Sequence, residues 1–323
     1  MGAGLAAKTK RSMTKPWEKF LDYYESEGVS DYFLGRDKKR IHFRSFTKNK
    51  YRSCLLILPG RTEPSMKYAE LVYDLKDCGH DIYVLDHRGQ GFSDRLLEDG
   101  EKGYVRQFRD YVRDLKKFTR LILKPENYQQ HYCIAHSMGT IVGLLFAQKH
   151  PRFFSGMVLN APMLQLRLDD FPEKFIKSIF TFYKLMGKGK DYVINGGPAI
   201  HNLPWEKNRV TRSQERWEFS RHIELTYPEL EMGASTFNWV LEALYAGEKC
   251  FRRRKRLKNM PILMFQAGND WYVKKERQDK FCDDLEHCRS IFYEDAYHEI
   301  FQEKDEIRNE VIEEIKWFFK NHP

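Results

Sequence analysis

Residues 131–139 read HYCIAHSMG, and this stretch decides the fold class. The apolar run before Ser137 has the length of a short buried strand, and a helical pattern follows over residues 140–149. A strand, a sharp turn and a helix in this order are typical of a nucleophile elbow, which exposes a serine hydroxyl at the carboxyl end of a sheet. The turn is tight, so the positions two before and two after the serine must be small, as Ala135 and Gly139 are. The sequence therefore predicts that Ser137 is a nucleophile.

Short apolar runs alternate with helical patterns along most of the chain. Such runs are typical of parallel strands that are buried on both faces of a sheet. The predicted strands are residues 41–46, 53–58, 81–85, 132–135, 156–160, 262–266 and 290–293, and the predicted helices are residues 66–78, 104–123, 140–149, 275–285 and 304–320. This alternation predicts an α/β fold with a mostly parallel central sheet flanked by helices.

The alternation breaks between residues 162 and 257. This segment is rich in aromatic side chains and has helical patterns over residues 171–185, 212–223 and 232–247. Because it follows the strand after the Ser137 helix, we interpret it as an inserted helical lid, in which some aromatic residues line an apolar pocket. An ordinary second domain is the alternative. The predicted division is an N-terminal extension (1–30), an α/β core (31–161 and 258–323) and the lid (162–257).

Two later strand ends carry the partners that a nucleophilic serine needs. The strand at 262–266 leads to Asp270, and the next strand leads to His298, so the residues follow in the order Ser, Asp, His. His298 would act as general base and then as general acid, and Asp270 would orient the imidazole. Glu294 and Asp295 are rival acids. Asp270 is preferred because it ends its own strand and lies on an independent loop.

An oxyanion hole needs two backbone N–H groups, one after the nucleophile and one from the loop after the strand at 53–58. Met138 supplies the first and Arg61 the second, while Gly60 lets the backbone turn toward the site. The Arg61 side chain either contacts an anionic head group or faces solvent. His136 is expected to pack under the elbow, with its side chain pointing the wrong way for a base.

The loop at residues 86–93 reads DHRGQGFS and superficially resembles a phosphate loop. It lacks the lysine and the spacing of that motif. We interpret it as a structured loop that supports the site, with His87 as a structural residue.

Composition limits the class of protein. A chain of 323 residues with 41% hydrophobic content suits one large α/β domain with an insertion, or two small domains. The net charge is +9, but no nucleic-acid recognition motif accompanies it. The basic run at 252–256 is interpreted as a solvated linker, with binding to anionic lipid as the alternative. No apolar run approaches the ~20 residues of a membrane span, and residues 1–15 lack a signal-peptide core, so export is not expected.

The six cysteines are scattered along the chain and show no zinc-like pairing. Cys282 and Cys288 lie too far apart for such a pair. Reduced thiols and a cytoplasmic location are therefore expected.

Several motifs resemble the monoacylglycerol-lipase-like branch of the α/β-hydrolases. They are Pro59-Gly60-x-x-x-x-Ser65-x-x-Tyr68, Asp86-His87-Arg88-Gly89-Gln90-Gly91, Ala135-His136-Ser137-Met138-Gly139 and Ala296-Tyr297-His298-Glu299. Residues 160–163, 211–213, 233–240, 246–248, 297–300 and 303–305 further resemble the bacterial lysophospholipases of the L-two type. The resemblance extends from about Tyr32 to Phe319 and includes the lid.

Two positions depart from the pattern of that branch. Pro59 stands where a histidine usually precedes the glycine, and Ala135 replaces the first glycine of the elbow. Neither change removes a catalytic atom, but both can alter the conformation of the oxyanion loop.

The resemblance implies a serine esterase that hydrolyses the fatty acyl ester of lysophospholipids, with acyl transfer to another lipid as a further activity. It also implies peripheral association with the cytoplasmic face of the bacterial inner membrane, and no metal or organic cofactor. The alternatives are a monoacylglycerol lipase, a general carboxylesterase, or a catalytically silent lipid-binding protein. The lipid head group, the acyl-chain length and the oligomeric state are left open.

Overall fold

The computed structural model describes residues 15–48, 51–168, 171–201 and 203–322. Within these ranges eight strands form one sheet in the spatial order β1-β2-β4-β3-β5-β6-β7-β8. The strands are β1 (Val29–Leu34), β2 (Arg40–Phe46), β3 (Ser53–Leu58), β4 (Asp81–Leu85), β5 (Gln130–His136), β6 (Gly156–Asn160), β7 (Ile262–Ala267) and β8 (Cys288–Tyr293). Strand β2 pairs antiparallel with β1 and β4, and all other pairs are parallel. The prediction of an α/β fold with a mostly parallel sheet is confirmed.

Helices cover both faces of the sheet. They are α1 (Glu18–Glu27), α2 (Ala69–Leu75), α3 (Arg109–Phe118), α4 (Met138–Ala147), α5 (Glu173–Leu185), α6 (Gln214–Thr226), α7 (Phe237–Arg252), α8 (Lys275–Asp283) and α9 (Asp305–Asn321). Apolar side chains of α3, α4, α7 and α8 form a core on one face, and those of α1, α2, α6 and α9 form a core on the other. No helix in the described ranges is both long and apolar enough to cross a membrane.

Strand β3 shows why the central strands carry apolar side chains on both faces. Cys54, Leu56 and Leu58 belong to one core, whereas Leu55 and Ile57 belong to the other. Successive side chains of a strand point to opposite faces, so a strand covered by helices on both sides must be apolar throughout.

The first described part of the chain is more structured than the sequence analysis expected. The predicted N-terminal extension contains α1 and the first two residues of β1, while its residues 1–14 lie outside the described part. Strand β1 is an edge strand in which only Phe33 is buried. It therefore lacks the alternation of apolar residues by which a strand is recognised in a sequence.

The segment between β6 and β7 contains α5, α6 and α7. Helix α5 packs on α7 through Phe180 and Tyr183, whose rings lie 5.0 and 4.3 Å from that of Phe237. In α6, Phe219 joins a core of the sheet, as does Trp239 in α7. The segment is therefore anchored in both cores of the α/β sheet. Its residues 169, 170 and 202 lie outside the described part.

One expectation about the cysteines is wrong. Cys282 and Cys288 form a disulfide, whereas Cys54, Cys78, Cys133 and Cys250 are free. Helix α8 ends just after Cys282 and β8 begins at Cys288, so the turn between them brings the two Cα atoms to 5.2 Å. This separation suits a disulfide. The cysteines therefore no longer support a cytoplasmic location.

Candidate active site

Ser137 occupies a strained turn between β5 and α4. Its φ of 47° and ψ of −112° are unusual for a residue with a side chain. The backbone passes so close to β3 that a Cβ atom on Gly139 would lie 2.2 Å from the carbonyl oxygen of Leu58. On the other side of the turn, Ala135 is completely buried. The absence of a side chain at Gly139 is thus required by the close approach of the turn to the sheet, and the complete burial of Ala135 agrees with a small residue there.

The structure brings Ser137, His298 and Asp270 together in one hydrogen-bonded chain. His298 Nε2 lies 2.9 Å from Ser137 Oγ, and His298 Nδ1 lies 2.7 Å from Asp270 Oδ2. All three side chains are buried. With the Nδ1 proton donated to Asp270, Nε2 is free to accept the serine proton, which is the arrangement of a catalytic triad.

Asp270 is held as a carboxylate by several donors. Its second oxygen accepts hydrogen bonds from the backbone N–H groups of Tyr272, at 2.8 Å, and Val273, at 3.0 Å. Burial alone would raise the pKa of Asp270, but His298 and these donors hold it below its ordinary value. Of the rival acids, Glu294 is exposed and Asp295 faces Arg212 at 3.7 Å. Asp270 is the acid that contacts His298.

The two predicted oxyanion donors lie on the loop after β3 and at the start of α4. Within the described ranges, the backbone N–H groups of Arg61 and Met138 have no hydrogen-bond acceptor. The loop is braced at Gly60, whose N–H donates to Glu63 at 2.5 Å and whose carbonyl accepts from Gln90 at 2.7 Å. Both backbone donors are therefore available to a ligand, and the loop that carries Arg61 has its shape fixed by side chains.

Glu63 lies at the centre of a buried charged cluster that the sequence analysis missed. Its carboxylate faces His136 Nδ1 at 2.9 Å and Lys67 Nζ at 3.2 Å, and accepts from the Tyr68 hydroxyl at 2.6 Å. Burial opposes its charge, yet His136 and Lys67 hold the pKa of Glu63 well below its ordinary value. The only signal in the sequence was an acidic residue between Gly60 and Tyr68, inside a motif already assigned to the oxyanion loop.

His136 packs under the elbow, as expected. Its Nε2 lies 3.3 Å from the carbonyl oxygen of His298, so it contacts the backbone of that residue and is not directed at Ser137 Oγ. Burial by itself would lower its pKa, but the Glu63 carboxylate raises the pKa of His136 above the ordinary value.

The Arg61 side chain does not simply face solvent, and its contact with an anionic head group stays a prediction. It is partly buried, donates to the Gly233 carbonyl at 2.5 Å, and lies over the ring of Trp239 at 5.4 Å. Burial lowers the pKa of its guanidinium to about 10. Arg61 thus ties the oxyanion loop to the segment between β6 and β7, and it faces the cavity above Ser137.

The loop at residues 86–93 supports the site, as expected. The Asp86 carboxylate accepts from the Ser65 N–H at 2.6 Å and the Phe92 N–H at 3.0 Å, and it faces His42 Nδ1 at 2.7 Å. His87 is buried and its Nε2 lies 3.2 Å from the Pro59 carbonyl oxygen. Burial lowers the pKa of His87 to about 4, so it stays neutral at pH 7.

A cavity of about 500 Å³ lies above Ser137 and is bounded largely by apolar side chains. These are Met163, Leu166, Leu168, Val193, Val210, Trp239, Val240, Trp271, Tyr272 and Val273. Of the aromatic residues predicted for the lid, Trp239 is the one that lines this cavity. The others pack internally or, like Phe175 and Phe182, lie exposed on the surface. The cavity has the size and character of a site for a small, largely apolar ligand.

Known proteins are similar to this chain in sequence. Residues 49–305 match the family described as serine aminopeptidase, S33. The chain is 33% identical over 297 residues to lysophospholipase L2 of Escherichia coli (strain K12), covering 90% of this chain and 87% of that protein. It is 25% identical over 275 residues to monoglyceride lipase of Mus musculus, covering 82% and 81% of the two chains.

Solved structures agree on the fold. A soluble variant of monoglyceride lipase from Saccharomyces cerevisiae superposes with a TM-score of 0.71 at 19% identity, covering 92% of this chain and 97% of that one. A carboxyl esterase from Bacillus coagulans superposes with a TM-score of 0.72 at 15% identity, covering 91% and 98%. The chain therefore has the α/β-hydrolase fold and belongs to the serine aminopeptidase, S33 family. Lysophospholipase L2 is a relative of this chain.

Proposed function

We propose that the protein is a serine esterase that hydrolyses the fatty acyl ester of lysophospholipids. The observation that carries the proposal is the chain Ser137–His298–Asp270, hydrogen-bonded at 2.9 and 2.7 Å, beneath a largely apolar cavity of about 500 Å³. Identity to lysophospholipase L2 is 33%, against 25% to monoglyceride lipase, which favours the lysophospholipid as substrate.

In the proposed acylation step, Ser137 Oγ attacks the acyl carbonyl carbon while His298 Nε2 takes the hydroxyl proton. The carbonyl oxygen becomes an oxyanion that accepts hydrogen bonds from the N–H groups of Arg61 and Met138. Asp270 stabilises the imidazolium. The ester C–O bond then breaks, and His298 gives its proton to the leaving alkoxide, so that the glycerophosphoryl alcohol departs and the acyl group stays on Ser137.

In the proposed deacylation step, water attacks the acyl-Ser137 ester as His298 removes one of its protons. The second tetrahedral intermediate collapses, the serine oxygen regains a proton from His298, and a fatty acid leaves. An acceptor lipid hydroxyl in place of water would give acyl transfer. No step requires a metal or an organic cofactor.

We assign the lid to residues 162–257, with the core formed by the sheet and its flanking helices. Leu166, Val193 and Val240, which come from this segment, line the cavity above Ser137 and would contact the acyl chain. The cavity walls would thus come from both parts of the chain.

A membrane surface is the proposed source of the substrate. The outward stripe of α5 presents Phe175, Phe182 and Leu185, which are 52, 60 and 81% exposed, between the exposed Lys174 and Lys184. A helix with aromatic and aliphatic side chains on its solvent face and lysines beside them is suited to the lipid–water interface. Association with the cytoplasmic face of an inner membrane is supported only by the resemblance to the bacterial lysophospholipases. Fractionation of cells tests this location.

Replacement of the nucleophile tests the reaction. Ser137→Ala is expected to lose lysophosphatidylethanolamine hydrolysis and labelling by a fluorophosphonate probe, while Ser235→Ala, which changes another serine of the same cavity, keeps both. Full hydrolysis by folded Ser137→Ala would overturn the proposal. Faster turnover of monoacylglycerol or short esters than of lysophospholipid would favour the lipase or carboxylesterase alternative, and unlabelled folded wild type would favour a silent lipid-binding protein.

Flotation with vesicles of phosphatidylethanolamine and phosphatidylglycerol tests the membrane surface. The double substitution Phe175→Asp, Phe182→Asp is expected to weaken binding at least about tenfold, since each phenyl ring contributes about 2 kcal/mol when buried. Trp317→Asp on α9 is the matched control, because Trp317 is 50% exposed but lies outside the lid. Equal losses in the two proteins would contradict this assignment of the surface.

A further inference from the structure

A second recess, of about 160 Å³, adjoins the cavity above Ser137. The two share Thr62, Val210, Tyr272 and Glu299 as lining residues. Whereas the larger cavity is mostly apolar, the lining of this recess includes four basic side chains. These are Lys67, Lys207, Arg209 and Arg221.

The acidic residues of the recess are already paired. Glu299 contacts Lys67 at 2.6 Å, and Glu224 pairs with Arg221. Lys207 and Arg209 have no acidic partner within the described ranges, and the Nε atom of Arg221 is buried without a hydrogen-bond acceptor. The recess therefore carries positive charge that the protein itself does not neutralise.

The two unpaired cations are attached to a rigid turn. The side chain of the buried Asn208 donates to the Thr211 carbonyl at 2.6 Å and accepts from the Val210 N–H at 3.0 Å. The Arg209 guanidinium lies over the ring of Trp271 at 5.2 Å, and Trp271 lines the larger cavity. Arg209 Nη1 also donates to the backbone carbonyls of Glu206 at 3.0 Å and Asn208 at 2.8 Å. These contacts hold the Arg209 guanidinium at the junction of the two spaces before any ligand arrives. Lys207 lines the recess as an exposed side chain.

The position of the recess matches the leaving group of the proposed reaction. His298 must protonate the departing oxygen, so the alcohol part of the ester lies on the His298 side of the scissile bond. The Tyr272 ring packs 5.0 Å from the His298 ring and lines the recess, and Glu299 follows His298 directly. The apolar walls of the larger cavity are left for the acyl chain.

We propose that this recess binds the phosphate of the lysophospholipid head group, with Lys207 and Arg209 as its ligands. The proposal rests on the proposed function, because it assigns the head-group half of the same substrate. It makes Lys207 and Arg209 specificity-determining residues that separate lysophospholipids from monoacylglycerols, which lack the phosphate.

The test compares two substrates with the same acyl chain, lysophosphatidylethanolamine and monoacylglycerol. The double substitution Lys207→Gln, Arg209→Gln is expected to lower kcat/KM for the lysophospholipid by about 10- to 100-fold, as loss of charged hydrogen bonds does. Turnover of the monoacylglycerol should change less than about threefold. The control is Lys255→Gln, Arg256→Gln, which removes the same charge from exposed positions away from the recess. Equal losses on both substrates, or no loss, would overturn the assignment.

A binding measurement keeps this test separate from the proposed reaction. Glycerophosphoethanolamine has no acyl chain and cannot be turned over, so calorimetry with the wild-type protein reports the recess whatever the enzyme hydrolyses. Binding that falls at least about tenfold in the Lys207→Gln, Arg209→Gln protein, with glycerol not binding, supports the recess. Equal binding of inorganic phosphate would identify a general anion site and overturn its assignment to a lipid head group, as would absence of binding to the wild type. Failure of lysophospholipid hydrolysis alone would refute only the proposed function.

Discussion

His136 Nδ1 lies 2.9 Å from Glu63 Oε2, and this contact joins the residue before Ser137, the proposed nucleophile, to the loop that carries Arg61, a proposed oxyanion donor. The same Glu63 oxygen accepts the Gly60 N–H at 2.5 Å. Two parts of the site that are 73 residues apart in sequence are therefore positioned by one buried carboxylate.

Glu63→Gln tests this positioning role. The amide cannot accept from Gly60, Tyr68 and His136 as the carboxylate does, so the Arg61 N–H should be misaligned with the oxyanion. We expect kcat to fall by about 10- to 100-fold with little change in KM, because the donor acts mainly in the transition state. Steady-state kinetics measure kcat and KM separately, and Glu276→Gln, at an exposed position, is the control. A rise in KM at unchanged kcat would point to a role in substrate binding instead.

His136 should make the folding stability depend on pH with a defined sign. Glu63 raises its pKa in the folded protein above the unfolded value of about 6.5. The stabilisation by protonated His136 is therefore complete below about pH 6.5 and is lost as pH rises through the raised pKa. Lys67, Glu299 and the His298 ring also face the His136 imidazole. The wild type is therefore compared with His136→Asn, in which these neighbours are unchanged.

Urea unfolding of wild type and His136→Asn between pH 5.5 and 9.5 provides the measurement. The excess free energy of unfolding of the wild type should shrink as pH rises. A difference that stays flat or grows with pH would rule out a charged His136 in the folded state.

Gly139→Ala should destabilise the fold and abolish activity. The added Cβ would lie 2.2 Å from the Leu58 carbonyl oxygen and 2.5 Å from that of Pro59, both backbone atoms of the sheet and the oxyanion loop. A loss of about 3 kcal/mol or more in the free energy of unfolding is expected. Gly197→Ala is the control, since a Cβ there meets nothing within 4 Å. Similar thermal unfolding midpoints for the two variants would contradict the close approach of the elbow to β3.

The Cys282–Cys288 disulfide should make a modest contribution to stability. It closes a loop with a sequence separation of 6, so the entropy removed from the unfolded chain corresponds to about 2 kcal/mol. Dithiothreitol should lower the unfolding midpoint of the wild type, and the double substitution Cys282→Ser, Cys288→Ser should make the midpoint insensitive to the reductant. Six titratable thiols in the unreduced, denatured protein would mean that the disulfide is absent.

The sequence by itself determined the parts of this protein whose physics is local. Continuous apolar runs are required of strands covered on both faces, and small residues are required around Ser137. The order of Ser137, Asp270 and His298 could be read in the same way, because each follows its own strand and parallel strands end at one edge of the sheet. Strand β1 was not predicted, since an exposed edge strand carries no apolar alternation.

Only the tertiary structure decided which distant residues contact a charged side chain. Glu63 and His136, Arg61 and Gly233, and Arg209 and Trp271 are each brought together by packing between separate segments. A charged side chain looks the same in a sequence whether it is solvated or buried beside a partner. Its role is set by burial and by distances across the fold, and neither has a periodicity that the sequence displays.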